Sequence, residues 1–380
     1  MLITNARVIT PQGEMRWIST RDSIISGMGM GEPQIAPDTE VYDAAGRTVL
    51  PGFIDVHFHG AAGHDVMDAT PEALEGMAMF SAEHGVTGFL ATTLTNPREA
   101  LIAALENVRS YATQPRKGAR LLGARLEGPY LNVEKAGAQN PQYIRTASRD
   151  EALAFLDLGV LRIVDVAPEI AENQWLIEAC TSRGITVSIA HTSAKAAEVV
   201  AAAEMGVTQS THTFNAQTPL HHREPGVVGA VLALPEIRCE LIADGVHVHP
   251  LAMRIAWACK KPDGLMLITD AVRAAGMRDG QYSFDERTVM LADGAVRLPD
   301  GTLAGSSLTM DRALRTFMAA TGESLEAVWQ TTSLTPARAI GLADRKGSLE
   351  PGKDADLVVL DETLSVQMTM VEGQIVFQRS

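Results

Sequence analysis

PGFIDVHFHG, residues 51–60, begins as an apolar run over residues 52–57 and ends in His57-Phe58-His59. A short strand that closes on two imidazoles two residues apart points both side chains the same way. Seven further runs repeat the pattern of an apolar stretch leading into a polar, turn-prone segment. They cover residues 87–93, 120–127, 162–168, 186–191, 209–213, 238–243 and 265–270. Helical stretches separate most of them, for example residues 71–84, 98–111, 171–183, 194–205 and 250–260. Strand alternating with helix implies a parallel sheet, because parallel neighbours need a crossover connection. A doubly wound open sheet has the same local pattern, but eight units favour a closed (β/α)8 barrel.

Residues 1–48 and 347–380 both look like short strands broken by turns. Stretches of ~40 residues are near the lower limit for folding alone. The two ends are therefore predicted to join in one small β-sandwich beside a barrel over residues 49–346. Residues 274–304, rich in glycine and short strand-like pieces, read as an insertion after the eighth strand.

The residues able to do chemistry fall at the ends of the predicted strands: His57 and His59, Glu127, His191, His212 and Asp270. In a barrel these ends converge on one face. Imidazole and carboxylate together suit zinc or ferrous-type divalent ions, and no thiolate is placed to make the site soft. A single strand-end histidine is more often a hydrogen-bonded structural residue. Six such residues in this strand order are hard to obtain as independent structural accidents, so the set is read as metal ligands.

The chain of 380 residues is 46% hydrophobic and 21% charged, enough for a sizeable core. With 32 Lys+Arg against 46 Asp+Glu, its net charge of -14 repels polyanions and argues against nucleic-acid or anionic-membrane partners. Any phosphate must be held by a few local cations or backbone amides. Cys180, Cys239 and Cys259 are too few and scattered for a disulfide framework. The first residues lack a basic segment followed by an apolar one, which predicts a soluble, cytoplasmic protein. The 16 methionines read as core filler.

Residues 51–60 resemble the opening barrel strand of the amidohydrolase superfamily, and Gly352-Lys353-Asp354-Ala355-Asp356-Leu357-Val358 resembles its returning sandwich strand. A closer resemblance, to the N-acetylglucosamine-6-phosphate deacetylase family, rests on motifs in family order over nearly the whole chain. They are residues 126–132 (LEGPYLN), 190–192 (AHT), 211–216 (THTFNA), 223–226 (REPG), 242–247 (IADGVH) and 303–310 (LAGSSLTM).

This resemblance implies a metal-dependent hydrolase that removes the acetyl group from an N-acetyl amino-sugar 6-phosphate. Glu127, His191 and His212 match the family's main metal ligands, and His57 and His59 match the pair that holds a second ion in two-metal members. One or two divalent ions are implied, with zinc first and iron, manganese or cobalt as alternatives. Asp270 matches the catalytic carboxylate. Ala138, Gln139, Asn215, Ala216, Arg223, His247, Leu303, Ala304, Gly305 and Ser306 match substrate-binding positions. The resemblance further implies a homodimer in which Arg223 and His247 reach the phosphate from the neighbouring subunit. The fourth strand offers Asp165 and Glu169 but no lysine, which leaves Glu127 as the natural bridging carboxylate.

One departure stands out. Family members carry a histidine where this chain has Gln139, within Gly137-Ala138-Gln139-Asn140-Pro141. That histidine is associated with polarising the acyl carbonyl, so a neutral amide there leaves the acyl group and the sugar open. The galactosamine derivative is one alternative, hydrolytic deamination of a ring is a second, and a barrel turned binding protein a third. Plainer accounts serve the other polar residues. His64, His84 and His249 read as loop or helix-surface positions, and His221 and His222 as solvated. Asp244 suits a turn before Gly245 as well as a sugar hydroxyl, and residues 305–307 suit a helix cap as well as a ligand.

Overall fold

In the computed structural model, which describes residues 1–35, 37–113 and 117–379, eight parallel strands form one sheet in sequence order. They are β1 (Phe53–Phe58), β2 (Val86–Thr93), β3 (Arg120–Leu126), β4 (Leu161–Val166), β5 (Thr186–Ile189), β6 (Gln209–Ser210), β7 (Arg238–Ile242) and β8 (Leu265–Ile268). The last meets the first just beyond their ends. There Asp270 N–H donates to His57 O at 2.9 Å and Phe58 pairs in parallel with Ala271. The ring is thus a nearly closed barrel. All eight residues of β2 and all four of β8 are buried, as expected of strands covered on both faces.

Helices α1 (Pro71–Glu83), α2 (Arg98–Ala112), α3 (Arg149–Leu156), α4 (Gln174–Thr181), α5 (Ala196–Glu204), α6 (Gly226–Ala233), α7 (Pro250–Gly264) and α8 (Met310–Thr321) surround the barrel. Two of them, α3 and α6, are not evident from the sequence pattern. Helix α3 spans only eight residues. Helix α6, GVVGAVLA, is buried over seven of its eight residues and so has no polar face to create a 3.6-residue period.

Both termini enter two further sheets. One has four strands in the order Ile24–Gly29, Trp17–Arg21, Leu2–Thr4, Val41–Asp43. The other has six, in the order Gln374–Gln378, Val366–Val371, Leu357–Leu360, Thr48–Pro51, Arg7–Thr10, Gly13–Met15. Side chains of the six-stranded sheet alternate between two cores. Val8, Val49, Leu357 and Val359 face Ile3, Ile18 and Ile25 of the four-stranded sheet, while Ile9, Leu50, Val358 and Leu360 join the barrel core. One sheet thereby closes the sandwich and clamps it to the barrel.

After β8 the chain forms a four-stranded antiparallel sheet, Gly280–Phe284, Arg287–Ala292, Ala295–Arg297 and Leu303–Ser306. Its small core of Phe284, Val289, Leu291 and Val296 packs with Leu94 and Val272 beside the barrel mouth. Among the described residues, no helix is long and apolar enough to cross a membrane.

Candidate active site

The six residues read as ligands sit at or just past the strand ends. His57 lies within β1 and Glu127 directly follows β3, whereas His191, His212 and Asp270 lie two residues beyond β5, β6 and β8. The strands end earlier than the apolar runs suggest because these three residues have φ of 41°, 27° and 49°. Left-handed backbone breaks the ladder. Strain of this kind costs on the order of 1–3 kcal/mol per residue and persists where the surroundings enforce it, most often at functional sites.

Two groups result: His57, His59 and Asp270, and Glu127, His191 and His212. Glu127 joins them. Its Oε1 lies 3.2 Å from His191 Nε2 and 3.1 Å from His212 Nε2. Its Oε2 lies 3.0 Å from His59 Nε2 and 3.5 Å from His57 Nε2. Asp270 Oδ1 stands 3.3 Å and 3.2 Å from the Nε2 atoms of His57 and His59. Donors about 2.0–2.1 Å from one ion at tetrahedral corners are about 3.3–3.4 Å apart. The spacings and the mixed imidazole–carboxylate donors therefore fit a divalent metal site.

The electrostatics point the same way. Burial, with Arg125, resists charging His57, yet Asp270 and Glu127 push its pKa up to about 10. Burial also resists charging His59, while hydrogen bonds to Asp270 and Glu127 raise it to about 9. Burial would raise Asp270, but the two imidazoles bring it down to about 2. Carboxylates that hold protons on buried imidazoles equally favour a cation between them. The rings are fixed from behind: His59 Nδ1 lies 3.1 Å from Thr92 O and His191 Nδ1 2.8 Å from Lys135 O. Donation there leaves the Nε2 lone pairs facing inward.

A cavity of about 480 Å³ opens onto the two groups. Ala138, Gln139, Asn215, Ala216, His247, Leu303 and Gly305 line it. Ala304 and Ser306, expected there, point away because the strand Leu303–Ser306 alternates its faces. Ala304 packs into the hairpin core and Ser306 Oγ donates to Thr269 O at 2.5 Å. Arg223 is exposed outside the cavity, 2.8 Å from His222 Nε2. His247, expected to serve a neighbour, lines the cavity of its own chain. Lys135 and Arg297 also line it, and sequence reasoning missed both.

Gln139, on the cavity wall, also makes contacts that its position in the motif does not suggest. It is 4% exposed; its Oε1 accepts from Thr95 N–H at 2.8 Å and its Nε2 donates to Glu127 Oε2 at 2.9 Å. The amide holds the carboxylate that joins the two groups. Asp165 is bound by Arg125, and Glu169 accepts from Thr192 Oγ1, Ser193 N–H and Asn132 Nδ2, so neither joins the ligands. Asp244 Oδ2 sits 2.6 Å from His247 Nδ1 and orients that ring toward the cavity. His249 caps α7 by accepting from Leu251 N–H, and His84 Nδ1 lies 3.1 Å from Asp311 Oδ1.

Comparison with known proteins gives the same answer. The model of the amidohydrolase family matches residues 48–376. The N-acetylglucosamine-6-phosphate deacetylase of Bacillus subtilis (strain 168) is 38% identical, covering 99% of this chain and 97% of its own. The N-acetylgalactosamine-6-phosphate deacetylase of Escherichia coli O157:H7 is 37% identical, covering 97% of each. The crystal structure of the Pasteurella multocida N-acetylglucosamine-6-phosphate deacetylase superposes with a TM-score of 0.94 at 31% identity over 98% of both chains. A mutant Mycobacterium smegmatis enzyme in complex with N-acetyl-D-glucosamine-6-phosphate gives 0.93 at 32% identity, covering 100% of this chain and 99% of its own. By its clustered imidazoles and carboxylates, its barrel and its full-length similarity, the chain belongs to the amidohydrolase family, among the amino-sugar 6-phosphate deacetylases.

Proposed function

We propose that this protein hydrolyses the N-acetyl group of N-acetyl-D-glucosamine 6-phosphate, releasing D-glucosamine 6-phosphate and acetate. The observation that carries it is the pair of three-residue groups joined through Glu127 at the base of a cavity sized for a small ligand. Glu127, His191 and His212 would hold one divalent ion, and His57, His59 and Asp270 would complete a second site. Zinc suits these donors best. Such an ion polarises an amide carbonyl and lowers the pKa of a bound water from 15.7 to about 7.

The remaining steps belong to the chain's own side chains. Asp270 is the general base: its Oδ1 faces the two imidazoles of its group, where it can accept water's proton. The same oxygen returns that proton to the departing amine. Asn215 and His247, both on the cavity wall, orient the sugar, and Asp244 fixes the tautomer of His247. Arg223, exposed and outside its own cavity, would meet the phosphate of a substrate bound to a partner subunit in a homodimer. A cytoplasmic location suits the three free thiols.

The experiment is acetate release from a panel of N-acetyl hexosamines, with and without the 6-phosphate. Fastest turnover on the glucosamine 6-phosphate derivative is expected. Preference for the galactosamine derivative would move this chain toward its Escherichia coli relative, and ammonia without acetate would make it a deaminase.

A further inference from the structure

Beneath the ligands, the barrel interior is charged where most barrels are aliphatic. Arg125, Asp165 and Glu240 are each 0% exposed. Arg125 Nε and Nη2 donate to the two oxygens of Asp165 at 2.9 Å, and Nη2 also reaches Thr211 Oγ1 at 2.9 Å. Arg125 Nη1 and Gln209 Nε2 both donate to Glu240 Oε1. The other oxygen, Oε2, lies 3.1 Å from His57 Nδ1 and accepts from His212 N–H at 3.1 Å. One oxygen atom therefore touches a member of each ligand group.

We propose that Glu240 is a positioning residue that fixes His57 as a metal donor and ties its group to that of His212. The argument is a count of donors. Arg125, Gln209 and the backbone of His212 all bring N–H groups to this carboxylate, which is an acceptor at both oxygens. His57 can then meet it only by donating from Nδ1. The lone pair is left on His57 Nε2, the atom that faces His59 and Asp270. A glutamine cannot reproduce this, because one of its two ends is an NH2 group. Turned toward His57, that end favours the tautomer with the proton on Nε2 and removes the lone pair. Turned toward Arg125, it opposes two donors with a third. Arg125, anchored by Asp165, sets which oxygen of Glu240 remains for the histidine.

This assignment rests on the metal reading proposed above, and the two are tested on different proteins. Wild type, Glu240→Gln, Glu240→Asp and Gln209→Ala would be loaded with zinc, dialysed against graded chelator and analysed for zinc per subunit, with thermal unfolding followed in parallel. Glu240→Gln should hold zinc about 10–100-fold more weakly than wild type. Glu240→Asp keeps two acceptors and should fall between them. Gln209→Ala removes a donor from the oxygen remote from His57, so it should lower the unfolding temperature with little loss of zinc affinity. Wild-type zinc retention by Glu240→Gln would overturn the assignment, as would a loss no greater than that of an equally destabilised Gln209→Ala. If Glu240→Gln does not fold, wild-type retention by Glu240→Asp does the same. A wild-type protein that takes up no divalent ion would sink the metal reading itself, and this assignment with it.

Discussion

Asp270 and Gln139 show how much one side chain decides here. Asp270 faces both imidazoles of its group, and its backbone N–H bonds to His57 O, so its position survives loss of charge. Asp270→Asn should keep the fold and most substrate affinity while kcat falls at least ~10²-fold. Near-normal kcat in single-turnover assays would place the base elsewhere. Gln139 acts on Glu127 rather than reaching freely into the cavity. Gln139→Leu fills similar space but leaves Thr95 N–H unpaired and Glu127 free to turn. Zinc affinity should drop about 10-fold or more, and an unpaired buried donor should cost about 1–3 kcal/mol of stability. Unchanged zinc retention in that variant would show that the amide does not hold the carboxylate.

Among the elements, α8 is tied to α1 by one buried charge. Asp311, in the first turn of α8, has an oxygen 2.9 Å from Arg315 Nη2 and is hydrogen-bonded to His84, the residue that ends α1. Burial pushes its carboxyl up, but hydrogen bonds from His84 and Thr309 outweigh burial and hold it well below the ordinary carboxylate range. The sign follows from linkage. A depressed pKa stabilises the fold above the unfolded value of about 4, and the contribution is lost as pH falls below it. Asp311→Asn should therefore lower stability by about 2 kcal/mol at neutral pH. The gap should close in urea titrations at successively lower pH. A deficit that persists unchanged in strong acid would show that the carboxylate's charge is not its source.

Two arrangements operate at the scale of the whole molecule. The six-stranded sheet serves two cores at once, so the terminal strands are part of the barrel's support as well as of the sandwich. The second is the proposed sharing of Arg223 between protomers. Arg223→Ala should raise KM for the phosphorylated sugar far more than for the unphosphorylated one, since only the former loses a counter-charge. Mixed dimers of Arg223→Ala and Asp270→Asn chains should regain part of the wild-type activity, because one cavity of each would hold both intact residues. Verified heterodimers with no recovery would assign the phosphate to cations of the same chain, of which Lys135 and Arg297 already line the cavity.

The sequence alone was enough for the barrel, the joining of both termini in a sandwich and the six residues that the structure gathers into two groups. Each is written in local pattern: apolar runs ended by His57, Glu127 or Asp270, separated by helices of amphipathic period. Helix α6 escaped notice because complete burial erases that period. Arg125 and Glu240 escaped it because a charge within a strand looks solvated until the barrel closes around it, and partners from two other strands, Asp165 on β4 and Gln209 and Thr211 at β6, make their burial tolerable. The part played by Gln139 was likewise fixed by Thr95 and Glu127, 44 and 12 residues away. Strand pleat separated Leu303 and Gly305 from Ala304 and Ser306, which the motif alone treats alike. The residues able to do chemistry are a property of the sequence. Which atoms they turn toward one another depends on contacts between distant strands, and those were decided only when the barrel formed.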